Sequence, residues 1–279
     1  MKKHLSTILL VLILIVGLGV LLYPTVSDYW NSIHQSRAIS SYIEEIETMD
    51  PAIYDEEFER ARAYNARLSQ KPNRFMMSEE EYAEYESILN LTGNGILGYI
   101  EIPKIECTLP IYHGTSETVL QVAVGHVEGS SLPTGNPGCH AVFSGHRGLP
   151  SARLFTDLDQ LEVGDLFVIR VLNQIMTYEI DQVLIVLPEE MDALAIDPNE
   201  DLCTLVTCTP YGVNSHRMLV RGHRTENVEM EQMIKIVSDA AQIDPMLVAP
   251  ALALPMLLIL LVWMMIATGK KQHRPNIKK

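Results

Sequence analysis

The sequence predicts a mainly β domain, either a sandwich or a closed barrel, that follows a helical region and lies between two membrane-spanning helices. Seven short runs rich in β-branched residues alternate with Gly, Pro and Asn turns within residues 96–225. In the preceding region, residues 23–95, apolar residues recur at helical spacing. Two further runs, one near each end, contain no charged residue and are long enough to cross a bilayer.

The first charge-free run covers residues 5–22 and follows Lys2 and Lys3. A bilayer core needs about 20 apolar residues in a helix, so this run predicts an N-terminal transmembrane anchor over residues 1–22. Cleaved signal peptides share this pattern, but no small-x-small cleavage site follows it here. We therefore expect an anchor that is not cleaved.

The second charge-free run covers residues 246–268 and predicts a C-terminal transmembrane helix. It contains Pro250 and Pro255, which membrane helices tolerate. A basic tail, residues 269–279, follows it. Because positive flanks stay in the cytoplasm, both termini are expected there, and the region between the two runs is expected outside the plasma membrane.

The region between the two runs is strongly acidic. It holds all 35 acidic residues of the chain but only 14 of its 21 basic residues. Nucleic-acid binding needs clustered lysine and arginine, so this composition argues against a nucleic-acid partner. It favours cationic or lysine-bearing partners through long-range attraction.

Three helices are predicted before the β region. Asp50 and Pro51 suit the N-cap and first position of the second helix, while Ser78 and Glu81 form a capping box for the third. A loop over residues 71–77 separates these two helices, because Pro72 and its neighbours cannot continue a helix. The predicted helices are 31–48, 51–69 and 79–90.

The predicted strands form one domain over residues 96–225. A juxtamembrane helix over residues 226–245 is expected to follow them. The strand candidates are 97–102, 107–112, 139–145, 166–171, 175–187, 202–208 and 216–223.

The four cysteines, Cys107, Cys139, Cys203 and Cys208, belong to the region expected outside the cell. An even number there is compatible with disulfides, but the spacing matches no known disulfide framework. No C-x-x-C or H-x-x-x-H motif occurs, so neither a metal nor a cofactor is predicted. We interpret all but Cys208 as structural residues.

Cys208 ends the apolar run TLVTCTP, residues 204–210. A side chain at a strand end stands rigidly at the rim of a sheet, where a nucleophile would be useful. The alternative is a buried cysteine that acts as a small hydrophobic residue. The sequence around Cys208 alone does not decide between them.

Arg217 and His146 could complete a site around Cys208. The turn at residues 211–214 predicts a hairpin that returns Arg217 beside Cys208, where a guanidinium could bind a carbonyl oxygen or an oxyanion. His146 follows a strand within a glycine-flanked turn, and a histidinium neighbour favours the thiolate form of a cysteine. An exposed, solvated arginine and a surface histidine are the alternatives.

Together these segments resemble the sortases, and more narrowly the pilus-building class C sortases of Gram-positive bacteria. The order His, Cys, Arg is carried by SGHRGLP, TLVTCTP and HRMLVRG. Further matching text is GYIEIPKI, LPIYHGTS, GHVEGSSLP and LFTDL, so that the resemblance covers roughly residues 25–225.

The resemblance implies a closed eight-stranded β-barrel and a cysteine transpeptidase. Cys208 would attack an LPXTG-like sorting signal between Thr and Gly, His146 would transfer protons, and Arg217 would stabilise the oxyanion. The implied partners are pilin subunits, one of which supplies a lysine amine, with a cell-wall precursor as another possible acceptor.

One stretch departs from the class C pattern. These enzymes usually carry a lid loop with an Asp-Pro-aromatic motif, whereas residues 71–77 here read KPNRFMM. Phe75 could take the aromatic place, but Arg74 precedes it and no aspartate is present. We therefore expect a weakly held lid, with Phe75 as a plain packing residue as the alternative.

Three other functions stay open from the sequence. A cysteine peptidase would release the same thioacyl intermediate to water. A housekeeping-type sortase would attach proteins to cell-wall peptide. A pilus-assembly scaffold would use the fold to bind pilins without catalysis, although the presence of Cys208, His146 and Arg217 argues against it.

Overall fold

The computed structural model describes residues 5–227. Three predicted segments lie outside the described residues, the juxtamembrane helix nearly entirely and the other two in full. They are the juxtamembrane helix 226–245, the C-terminal transmembrane helix 246–268 and the basic tail 269–279.

The first helix, α1, runs from Leu5 to Glu47 and is longer than either segment predicted for this region. The anchor and the helix predicted at residues 31–48 form one continuous element with Pro24 inside it. Within the described residues α1 is the one helix long and apolar enough to cross a membrane. Its later part packs on the barrel: Tyr42 and Ile46 share an apolar cluster with Ile96, and Tyr42 donates a hydrogen bond to the carbonyl oxygen of Leu97 at 3.2 Å.

The next two helices are capped as predicted. In α2, Pro51–Leu68, Asp50 accepts a hydrogen bond from Ala52 N at 3.0 Å. In α3, Glu79–Ser87, both halves of the capping box between Ser78 and Glu81 form. A short α4, Glu117–Leu120, and three 3₁₀ segments, Pro103–Ile105, Leu158–Gln160 and Asp192–Leu194, complete the helical elements described.

Eight strands form a closed barrel in the order β1-β2-β3-β4-β7-β8-β6-β5. All seven predicted strands are present, and the fold prediction of an eight-stranded barrel is confirmed. The remaining strand, β3, has only three residues and was not predicted. The strands are β1 Ile96–Ile102, β2 Cys107–His113, β3 Val124–His126, β4 Cys139–Ser144, β5 Leu166–Val171, β6 Gln174–Val186, β7 Asp201–Thr209 and β8 His216–Arg224.

Strand pairing decides which side chains meet at the barrel rim. Strand β7 runs parallel to β4 on one side and antiparallel to β8 on the other. Alternate residues of β7, such as Cys203 and Leu205, belong to the buried core, while Val206 packs in a separate apolar cluster on the opposite face. Cys208 shares the face of Val206, because the two are two positions apart in a strand.

Candidate active site

Cys208 and Arg217 lie directly opposite each other in the β7–β8 hairpin. Their Cα atoms are register partners, as the sequence predicted from the turn between them. Directly opposed residues in a sheet project from the same face, with Cβ atoms about 5 Å apart. Both side chains are half-buried and therefore reachable from solvent.

His146 approaches Cys208 from the other neighbour of β7. In the parallel pair Ser144 is the register partner of Val206, and Gly145 N donates to the carbonyl oxygen of Val206 at 3.0 Å. The hydroxyl of Thr207 donates to the carbonyl oxygen of Gly145 at 2.8 Å. These contacts hold Gly145, the first residue after β4, on β7. His146 follows two positions after Ser144, as Cys208 follows two positions after Val206. Neighbouring strands lie about 4.8 Å apart.

The Arg217 guanidinium is turned toward the hairpin backbone. Its Nη1 donates to the carbonyl oxygens of Asn214 at 3.2 Å and of His216 at 3.1 Å. Both contacts use one nitrogen of a group that carries five N–H donors. Nε and Nη2 of Arg217 make no hydrogen bond within residues 5–227.

An apolar groove extends from Cys208 across the same face of the sheet. Its floor follows from the register, since Val186 is the partner of Arg217 and Leu219 pairs with both Val206 and Leu184. We refer to it as the Cys208 groove, and its floor consists of Val142, Leu184, Val186, Val206 and Leu219. Such a surface suits an extended peptide with an apolar side chain.

The loop over residues 71–77 covers part of this groove. Phe75 packs against the apolar cluster that forms the groove floor. Arg74 donates through Nη1 to the carbonyl oxygen of Gly129 at 2.9 Å and through Nη2 to the carbonyl oxygen of Leu194. Its guanidinium also lies 4.4 Å from the centre of the Phe75 ring, and burial lowers the pKa of Arg74. One carbonyl belongs to the segment between β3 and β4, and the other to the 3₁₀ segment Asp192–Leu194.

Gly129 lies directly against the backbone of this loop. It has φ +81°, and a Cβ atom added there would come within 2.8 Å of Phe75 Cα. Lys71 anchors the start of the loop by contacts with the Met76 carbonyl oxygen at 3.0 Å and with the Glu81 carboxylate at 2.6 Å. The weak hold expected of this loop stays a prediction; the structure gives Arg74 two backbone carbonyls as partners. The sequence analysis did not single out Gly129.

His140 occupies a supporting place beneath the groove. Its ring nitrogens lie 2.7 Å from the carbonyl oxygen of Ala195 and 2.8 Å from the hydroxyl of Thr204. Burial lowers the pKa of His140 to about 4, so its ring is neutral at physiological pH. These contacts hold the segment near Leu194 against the sheet, and with it one of the carbonyls bound by Arg74.

The other cysteines differ from Cys208 in their surroundings. All four are free thiols. Cys139 and Cys203 are buried inside the barrel, and burial raises the pKa of Cys139 to about 12 and also raises that of Cys203 above its usual value. Within residues 5–227 no group of three or more His, Cys, Asp or Glu side chains is arranged to hold a metal ion.

Comparison with known proteins places the barrel in a family. Residues 100–225 match the sortase domain. Sortase D of Bacillus subtilis is 32% identical over 130 residues, which cover 46% of this chain and 63% of that protein. Sortase A of Streptococcus agalactiae serotype III is 31% identical over 117 residues, covering 41% and 47%. The matches therefore span less than two thirds of the length of these curated relatives.

Solved structures match over a longer part of the chain. Sortase C1 from Streptococcus agalactiae is 49% identical, with a TM-score of 0.66, and the match covers 69% of this chain and 100% of that one. Sortase C from Streptococcus pneumoniae is 41% identical, with a TM-score of 0.62 and coverage of 68% and 97%. Clostridium perfringens sortase C, solved with the C-terminal cell wall sorting motif, is 38% identical, with a TM-score of 0.61 and coverage of 69% and 100%. The chain belongs to the sortase family, and these three similar structures are all class C sortases.

Proposed function

We propose that this protein is a cysteine transpeptidase that cleaves an LPXTG-like sorting signal and joins its acyl part to a lysine amine of a pilin subunit. The observation that carries the proposal is that Arg217 is the register partner of Cys208, while Thr207, the residue before Cys208, bonds to Gly145, the residue before His146. The likeness to class C sortases supports transfer to a pilin over attachment to cell-wall peptide.

In the first half-reaction the Cys208 thiolate attacks the carbonyl carbon of the signal's threonine. The oxyanion that forms accepts hydrogen bonds from Arg217, which stabilise it more than they stabilise the neutral carbonyl. His146 then gives a proton to the leaving glycine amine, and the C–N bond breaks. The products are a thioester on Cys208 and the free C-terminal fragment.

In the second half-reaction a lysine amine attacks the thioester carbonyl. His146 takes up the proton that the amine loses, and Arg217 again binds the oxyanion. The C–S bond then breaks, which returns the Cys208 thiolate and leaves an isopeptide bond. Water can compete with the amine for the same intermediate, so hydrolysis is the expected side reaction.

The Cys208 groove is proposed to bind the apolar part of the sorting signal. Phe75 now packs against the groove floor that this part would cover. We therefore propose that the loop over residues 71–77 is a lid that must move before a signal binds. Arg74, through its contacts with the carbonyls of Gly129 and Leu194, is the side chain that holds it.

Tethering next to other membrane-held proteins would favour transfer over hydrolysis, because it raises the local amine concentration. Helix α1 supplies one apolar segment that could anchor the chain in a membrane. We further propose that residues 246–268 provide a second anchor, with both termini in the cytoplasm and the catalytic domain, residues 96–225, outside the plasma membrane.

The test uses the full chain in detergent, with and without Cys208→Ala, mixed with a pilin that carries an LPXTG-like signal. The expected result is a ladder that resists boiling in the presence of wild-type protein alone. Cleaved monomer without a ladder would show a hydrolase or a different acceptor. Unchanged pilin with wild-type protein would contradict the proposed activity, provided that an Arg74→Ala variant with a loosened lid is also inactive.

A further inference from the structure

The loop that carries His146 is fastened to the segment that follows it. Phe155 N donates to the carbonyl oxygen of His146 at 3.1 Å, and Gly148 N donates to the hydroxyl of Thr156 at 3.1 Å. The Phe155 ring packs so closely on Gly145 that an added Cβ atom would lie 2.6 Å from it. These contacts fix the loop's backbone on the side away from Cys208.

Arg147, the residue after His146, is buried to an unusual degree for an arginine. Only 10% of its side chain is exposed, and Nη2 forms an ion pair with Asp159. Its Nε is buried and makes no hydrogen bond within the described part of the chain. Burial of an arginine is costly unless it is paired or used. The nearby pair of Arg153 with Asp157 differs, because 69% of the Arg153 side chain is exposed.

Arg147 also contacts the loop that follows Cys208. Its guanidinium carbon lies 5.9 Å from the centre of the Tyr211 ring, and Tyr211 comes three residues after Cys208. The neighbouring Gly148 has φ +76°, and a Cβ atom added there would lie 2.8 Å from a carbon of the same ring. Tyr211 thus rests on the Arg147–Gly148 pair, although 61% of it stays exposed.

We propose that Arg147 is a positioning residue: its guanidinium, paired with Asp159 and covered by Tyr211, holds the His146 loop against the loop that follows Cys208. The hydrogen bonds to Phe155 and Thr156 anchor the His146 loop to the segment that follows it. The contact of Arg147 with Tyr211 joins the same loop to the loop that follows Cys208. Proton transfer needs donor and acceptor within about 3 Å, so this connection sets how well His146 serves Cys208. The inference rests on the proposed function, since it assumes that His146 exchanges a proton with Cys208.

Alkylation of Cys208 by iodoacetamide tests this without a pilin. The rate is measured from pH 5 to pH 10 on the full chain in detergent, by mass spectrometry of the peptide that contains Cys208. The variants are His146→Ala, Arg147→Ala and Arg147→Lys, with Arg153→Ala as the matched control. Cleavage of a sorting-signal peptide gives kcat and KM for the same proteins.

Arg147→Ala is expected to move the pH of half-maximal alkylation in the same direction as His146→Ala, by a smaller amount. Its kcat is expected to fall about tenfold or more, with little change in KM, because the groove is left intact. Arg147→Lys keeps the charge that pairs with Asp159 and should recover part of the loss. Arg153→Ala should match the wild type in both measurements.

A wild-type alkylation profile for Arg147→Ala, together with a shifted profile for His146→Ala, would overturn the positioning role and leave the proposed function in place. A wild-type profile for His146→Ala would instead contradict the proposed function itself. If Arg147→Ala does not fold, Tyr211→Leu replaces it, since Tyr211 is largely exposed. The proposal then requires a shift in the same direction, and a folded Tyr211→Leu protein with the wild-type profile overturns it.

Discussion

Strands β4 and β7 carry a cysteine-containing cluster at each end, and the two clusters use similar residue types. At one end Cys208 faces Arg217 across the hairpin with β8. At the other end Cys139 is the register partner of Asp201, and Arg224 of β8 comes within 3.9 Å of the Asp201 carboxylate. A thiol and an arginine thus occur together twice, on the same three strands.

Burial separates the two ends. Cys139, Cys203 and Asp201 face the barrel interior, where burial raises the pKa of both thiols and keeps them neutral. Cys208 is half-buried on the opposite face, with Arg217 beside it. The thiolate is the reactive form of a cysteine, and a nearby cation favours it. Burial opposes this effect, because it disfavours the charged form of the thiol. Residue types alone therefore do not identify the reactive cysteine.

The covers over the two ends also differ. At the Cys139 end a helix residue, Asn65 of α2, donates to the carbonyl oxygen of Leu132 and accepts from its N–H, both at 2.8 Å. At the Cys208 end the cover is a loop that reaches the barrel through the Phe75 ring and one long polar side chain, Arg74. A buried, bidentate contact from a helix suits a permanent closure, whereas a single arginine on a loop suits one that opens.

The sharpest test of this comparison is alanine substitution of one cysteine at each end. Cys208→Ala should lower cleavage of a sorting-signal peptide by at least ~10³-fold, because the nucleophile is lost. Cys203→Ala removes one small buried side chain and should lower Tm by a few degrees while kcat stays within about twofold. Comparable losses of cleavage in both variants, with both proteins folded, would contradict the division between the two ends.

Arginine substitutions provide the second test. Arg217→Ala should lower kcat for signal cleavage by about 10²–10³-fold, the usual effect of losing one oxyanion donor, with a smaller change in KM. Arg217→Lys should recover little of it, because an ammonium lacks the planar pair of donors. Arg224→Gln, at the other end of β8, serves as the control and should change Tm but not kcat. Equal kcat for Arg217→Ala and Arg224→Gln would exclude the role proposed for Arg217.

A smaller effect is expected from loosening the cover at the Cys208 end. Arg74→Ala removes two hydrogen bonds to backbone carbonyls, each contributing about 1 kcal/mol, so the open state should become about five- to thirtyfold more populated. Iodoacetamide should then label Cys208 faster by a similar factor at fixed pH. Arg67→Ala, which breaks an exposed ion pair between Arg67 on α2 and Glu84 on α3, is the matched control. Unchanged labelling in Arg74→Ala would mean that the loop does not limit access to Cys208.

The sequence was most informative where contacts are local. The hairpin between Cys208 and Arg217 and the capping box of Ser78 and Glu81 each join residues a few positions apart, and turn and capping residues reveal them. The position of His146 depends on the parallel pairing of β4 with β7, which are about 60 residues apart. Its turn and residue type made His146 a candidate, and the resemblance to sortases then linked it to Cys208.

Other features leave no residue-type signal. The acceptors of Arg74 are backbone carbonyls at Gly129 and Leu194, and any residue carries such a carbonyl. The missing aspartate therefore suggested a weak lid, although the arginine has other partners. Strand β3 has three residues and is too short for an alternating pattern. Pro24 likewise lies inside α1, where a proline in the sequence suggests a boundary.

The last prediction concerns Asp201 and compares two physical effects at the buried end. Burial raises the pKa of Asp201 to about 7, although Arg224 at 3.9 Å lowers it. Burial dominates, because the carboxylate is only 5% exposed and the ion pair is long. An aspartate in an unfolded chain loses its proton near pH 4, so between about pH 4 and pH 7 the folded chain holds one proton more. The free energy of unfolding therefore falls as pH rises through this window.

Asp201→Asn cannot titrate and should lack this fall in stability. Between pH 5 and pH 7 the difference in Tm between Asp201→Asn and wild type should move in favour of the variant by several degrees, measured by calorimetry on the full chain in detergent. Asp192→Asn, at an exposed position, should keep the wild-type dependence. Parallel pH dependence in Asp201→Asn and wild type would show that Arg224 keeps Asp201 ionised. Asp201 and Arg224 would then form an ion pair with both groups charged. In that case burial alone would no longer explain why Cys139 and Cys203 differ from Cys208 in reactivity.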